Sequence, residues 1–236
     1  MVLNDIKSTL NDLSDPEKVK SVSRYFKTGK GEYGEGDMFL GITVPNQRLI
    51  AKEFYQEASL EDVKDLLSFN IHEYRLVALL ILVNQYRKSK DEKTRKEIVA
   101  FYLSQTSRIN NWDLVDTSCY KILGHFCFDQ KREDLLYDLA DSDDLWEKRM
   151  AIVSTMYFIK QNSLEIVPEI VLKNLNHSHD LMHKANGWML REMGKVNEEK
   201  LIQFLDEYTL QMPRTTLRYA LEKIDPVVKD YYMKLK

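Results

Sequence analysis

The sequence predicts an all-α protein in which antiparallel helical pairs stack into a solenoid. Three observations carry that expectation. Apolar residues recur at helical spacing along almost the whole chain, turn-forming residues are scarce, and one residue pattern returns every 34 to 39 positions.

The 236 residues are 44% hydrophobic and 30% charged, enough apolar surface to bury a core rather than remain disordered. With 8 Gly and 5 Pro there are too few turn formers for a protein of short strands. Helices from Asp5 to Phe26 and from Gln47 to Phe69 are expected to form an N-terminal cap over 1–69. Between them, Lys27–Gly41 holds five of the eight glycines and is the one long loop. Its Gly29-Lys-Gly-Glu-Tyr-Gly34 satisfies G-x-G-x-x-G. A dinucleotide site, however, needs a strand before the loop and a helix after it. Here a helix precedes, and Glu32, Glu35 and Asp37 would repel phosphate. The loop is read as a connector or as a mobile segment flanking a ligand.

Beyond residue 70 the helical period is continuous. Leu76, Leu79, Leu80 and Val83 mark a helix over His72–Lys88; Leu135, Leu136 and Leu139 mark one after Arg132; Ile152, Met156 and Ile159 mark one over Leu145–Lys160. Capping residues stand at Ser59 with Asp62, Asn111, Asp143-Asp144 and Pro213. About a dozen helices joined by short connections follow, in a single domain spanning 1–236 whose repeats occupy 70–236.

Aligning one helix of each pair exposes the repeat. Glu73–Ala78, Trp112–Thr117, Trp146–Ala151, Leu181–Asn186 and Thr215–Ala220 end 39, 34, 35 and 34 residues apart. Two residues before each end stand Leu76, Val115, Arg149, Lys184 and Arg218, so the last three repeats bring a cation to one register position. With Arg191 and Arg214 this makes a basic ladder on a concave inner face, suited to a polyanion despite the net charge of −3. The competing reading is a solvated face of i,i+4 pairs such as Arg218 with Glu222.

All three tryptophans lie on the same helices. Trp146 reads as core. Trp112 has Asp116 one turn on, and Asp113 and Asp116 form an i,i+3 pair. Asp113 suits the helix dipole, whereas Asp116 lies beyond the first turn and is either a structural partner of Arg149 or a stabiliser of a developing cation. His177, His179 and His183 supply no complete metal-ligand set, and Cys119 and Cys127 read as reduced, semi-buried thiols. No cofactor or metal is expected. The N-terminal residues have no signal-peptide pattern and no apolar run suits a membrane, so a cytoplasmic protein without membrane partners is expected.

At these residues the chain resembles the bacterial AlkD-type DNA alkylation repair glycosylases. The resemblance runs along most of the chain through Arg24–Lys27, Phe39–Ile42 ahead of Pro45, Asn111-Trp-Asp-Leu-Val-Asp116, Trp146–Arg149, Gly187–Glu192 and Pro213–Ala220. It implies a right-handed superhelix of HEAT-like repeats, acting as a monomer on double-stranded DNA in the bacterial cytoplasm. The implied activity is monofunctional hydrolysis of the N-glycosidic bond of cationic N3- or N7-alkylated purines. Asp116 would be the catalytic carboxylate, Trp112 and Trp188 the aromatic walls, and Arg149 a DNA contact. Tyr25, Lys184, Arg191, Arg214 and Arg218 complete the expected DNA-binding set. One departure is Asn111, where a well-known form carries Trp. The alternative implied by some relatives is a DNA-structure binder that does not excise.

Overall fold

A computed structural model describes residues 2–235. Its regular backbone structure is helical, and no strand forms among the described residues. A single parallel bridge joins Met38 to Ile71. The contacts gather into two compact units, 1–118 and 119–236.

The first unit opens with α1 (Val2–Asp12) and α2 (Pro16–Tyr25), the latter capped by the Asp15 carboxylate. After the glycine-rich loop come α3 (Val44–Phe54) and α4 (Leu60–Ser68). The Ser59–Asp62 pair forms the full capping box that the sequence predicts, each side chain bonding the other's backbone N–H. Next comes α5 (His72–Lys88), then α6 (Glu92–Ser104) and the start of α7 (Trp112–Cys119). Helix α5 matches the predicted boundaries and packs against both α3 and α4. It is buried on nearly every side, which is why its sequence is apolar all round from Leu76 to Val83. Arg108 donates to the carbonyls of Leu67, Ser68 and Phe69, satisfying acceptors at the end of α4.

The second unit begins at Cys119, the last residue of α7, which a π-helical stretch, Tyr120–Gly124, follows before α8 (His125–Gln130). There follow α9 (Asp134–Asp141), α10 (Leu145–Lys160), α11 (Ile166–Lys173), α12 (Asp180–Val196), α13 (Glu198–Tyr208), α14 (Arg214–Ala220) and α15 (Pro226–Lys234). Helix α10 packs on α9 and α12, α12 packs on α14, and α9 packs on α11. Like elements of successive pairs therefore contact each other, as stacked helical pairs require. At Gly187 a Cβ would lie 2.5 Å from the Thr216 carbonyl oxygen and 2.5 Å from the Tyr219 Cβ, so α12 and α14 approach to a separation only glycine permits. Asp144 caps α10 as the sequence predicts, accepting from the backbone of Trp146 and Glu147.

Each of the five sequence blocks begins on the first or second residue of a helix: α5, α7, α10, α12 and α14. Among the described residues no helix is long and apolar enough to cross a membrane.

Candidate functional site

The first unit gathers its chemistry around the N-terminus of α7. Trp112 is half-buried and stacks on Phe26 (centroids 5.3 Å apart, planes 14° apart), while Tyr25, 67% exposed, meets the indole edge-on at 5.9 Å. Beneath Phe26 lie Phe39 at 5.1 Å and the His72 imidazole at 4.8 Å, and Phe39 itself stacks on His72. Trp112 is thus the outer member of an aromatic column that starts in the core. Its indole Nε1–H donates to the Tyr33 hydroxyl, 3.2 Å away on the glycine-rich loop.

A buried ionic network underlies the column. His72 Nε2 is 2.8 Å from Asp113 and Nδ1 is 3.3 Å from Asp37. Asp37 also accepts from Arg75 and from Asn111 Nδ2, while Arg75 donates in addition to Asn110. Burial opposes charge on His72, but the carboxylates of Asp113 and Asp37 overcome it and lift the imidazole pKa to about 9. Asp37 likewise faces a burial penalty, and His72 and Arg75 outweigh it to hold its carboxyl below the ordinary value. Asp113 is therefore an internal partner of a protonated histidine, more than the helix-dipole partner expected from sequence.

The glycine-rich loop is tied to this network at several points. Met38 bridges to the chain just before α5, and the Glu73 carboxylate accepts from the backbone N–H groups of Leu40, Gly41 and Ile42. Gly41 adopts φ +80°, and a Cβ there would meet the Asp15 carbonyl at 2.3 Å. The rejected G-x-G-x-x-G stretch uses its own amides: Glu32 accepts from Gly29 and Glu35 accepts from Gly31.

Asp116 is half-buried on α7, one turn beyond Trp112. Asn111 is fully buried, and its side chain serves Asp37 rather than capping α7.

In the second unit the cations of the predicted ladder differ from one another. Arg149 is 5% exposed and donates to the Leu181 carbonyl, in line with Leu76 and Val115, which are buried at the same register position. Lys184 is half-buried beside Asp180 at 2.7 Å, and Arg218 is exposed. Arg191 pairs with Glu192 and Glu222, so Glu222 serves Arg191 rather than Arg218. Arg214 donates to the Met233 carbonyl. Trp188 is half-buried on α12, and Trp146 is buried as expected. His179 caps α12, and His177 and His183 bond to the neighbouring backbone. Cys119 and Cys127 form no disulfide and are fully buried rather than semi-buried as expected from sequence, and burial pushes the Cys127 thiol up to about 12.

Sequence reasoning did not single out Tyr33, Asp37, His72 and Arg75 as members of the site. The available signal was charge at the start of α5: His72, Glu73 and Arg75 open a helix whose next stretch, Leu76 to Val83, is apolar on every face.

No curated protein sequence matches the chain. A solved structure titled "Predicted DNA alkylation repair enzyme from Enterococcus faecalis" is similar to it in fold, with a TM-score of 0.69 at 17% identity over 90% of this chain and 97% of that one. The family model described as "DNA alkylation repair enzyme" matches residues 6–224, and the chain belongs to that family.

Proposed function

We propose that the protein is a monofunctional DNA glycosylase that hydrolyses the N-glycosidic bond of cationic N3- or N7-alkylated purines in duplex DNA. The observation that carries this reading is the arrangement on α7. An aromatic column holds Trp112 at its outer end, Asp113 is committed to His72, and Asp116 stands half-buried one turn beyond the indole.

The chemistry asks little of an acid. The alkylated base already carries positive charge, so when the C1′–N bond breaks, the electron pair leaves with the base and neutralises it. The sugar becomes oxocarbenium-like, and water then adds at C1′ and loses a proton. A carboxylate at Asp116 stabilises the developing cation, and the electron-rich face of Trp112 does so through cation–π attraction. Trp188 is proposed as a further aromatic residue of the reaction. Lys184, Arg191, Arg214 and Arg218 supply phosphate contacts from the second unit, Tyr25 supplies an exposed ring from the first, and the buried Arg149 contributes through its field.

The test is release of free 7-methylguanine or 3-methyladenine from methylated duplex DNA by the intact protein. Base release that disappears in Asp116→Asn supports the reading. Tight duplex binding with no release from the wild type overturns it in favour of a non-catalytic DNA-structure binder.

A further inference from the structure

The glycine-rich loop reaches Trp112 and the start of α7 from far away in sequence. Tyr33 accepts from the indole Nε1–H across 79 residues, and Asp37 accepts from Asn111 across 74. His72 joins the two ends, with Asp37 on one ring nitrogen and Asp113 on the other. The loop is held in turn by Glu73 and by the Met38 bridge, both at the N-terminus of α5.

This construction is costly. Three charged groups, His72, Arg75 and Asp37, have side chains 9% exposed or less, where an apolar core would be cheaper. Arg75 Nε, Asn111 Oδ1 and Asp113 Oδ1 are buried without a hydrogen-bond partner. What the network achieves geometrically is specific: it fixes Asn111 and Asp113, the residues flanking Trp112, while Tyr33 fixes the ring itself.

We propose that Tyr33, Asp37 and His72 are positioning residues, which set the ring plane of Trp112 and the first turn of α7 and thereby place Asp116. The inference rests on the reading of Trp112 and Asp116 as the reactive pair. None of the three touches substrate under this assignment. They act by restricting Trp112 to one orientation before DNA arrives, which removes an ordering step from the reaction.

The experiment uses the full chain and resolves the three indole N–H signals by proton–nitrogen NMR, with Trp146 and Trp188 as internal controls. Tyr33→Phe removes only the acceptor oxygen, and His72→Gln removes the double link. Both variants are expected to shift the Trp112 indole signal and speed its hydrogen exchange, with the other two indoles unchanged. In single-turnover excision both should slow base release by about ten- to a hundredfold with duplex affinity within about twofold of wild type, the signature of lost orientation rather than lost binding. If His72→Gln fails to fold, Tyr33→Phe decides alone. A Trp112 signal and an excision rate that both remain wild-type in Tyr33→Phe overturn the proposal. If the wild type releases no base yet the Trp112 indole alone responds, the positioning assignment stands and the glycosylase reading fails.

Discussion

His72 Nε2 lies 2.8 Å from the Asp113 carboxylate, and this contact makes a buried imidazole a cation at neutral pH. The groups facing it are Asp37 from the loop, Asp113 from α7 and Arg75 from its own helix. The two carboxylates outweigh both the burial and the guanidinium. Because the folded pKa of His72 stands above the ordinary 6.5, at about 9, its stabilisation is complete below about pH 6.5 and is lost as pH rises through 9. Urea unfolding of the wild type should therefore weaken by up to about 3 kcal/mol over that window relative to His72→Gln. Parallel stability curves for the two proteins would show that His72 is neutral in the fold.

Asp113→Asn removes one of the two carboxylates that hold this cation. The expected loss is on the order of 3 kcal/mol, the scale for breaking a buried pair, rather than the fraction of a kcal/mol of a helix-dipole contact. Chemical denaturation at about pH 7 measures it. A change below about 1 kcal/mol would mean that Asp37 alone suffices for His72.

Asp116→Asn should abolish base release while leaving affinity for undamaged duplex equal or slightly tighter, because it removes a negative charge and keeps the side chain's shape. The transition state should lose about 2 to 4 kcal/mol, the range for deleting one electrostatic group. Single-turnover excision with a parallel binding measurement checks this. A wild-type excision rate, or joint loss of binding and folding, would make the carboxylate structural.

The three register cations should separate by experiment as they do by burial. Arg218→Glu, at an exposed position, should weaken duplex binding and lower the log–log salt slope by about one per phosphate lost. Arg149→Met should instead cost about 1 to 3 kcal/mol of stability, because the Leu181 carbonyl loses its buried donor. Lys173→Glu, on α11 and paired with Asp141, serves as the control for binding. Equal salt-slope changes in Arg218→Glu and Lys173→Glu would place the DNA elsewhere.

The sequence by itself determined the helices and their order, because amphipathic period and caps are local properties. The register blocks land on the first or second residue of α5, α7, α10, α12 and α14, and Ser59 and Asp144 cap where their side chains allow. The pairing of Trp112 with Asp116 was equally legible, being a four-residue spacing on one helix. Only the tertiary structure decided which register positions are buried. Leu76, Val115 and Arg149 share interior positions while Arg218 does not, and a cation in the sequence carries no mark of the carbonyl it will meet. The same holds for the network under Trp112, where Asp37 finds His72 35 residues away and Tyr33 finds Trp112 79 away. Local periodicity sets the helices, but the partner of a buried charge is set by which distant segments the packed core brings together.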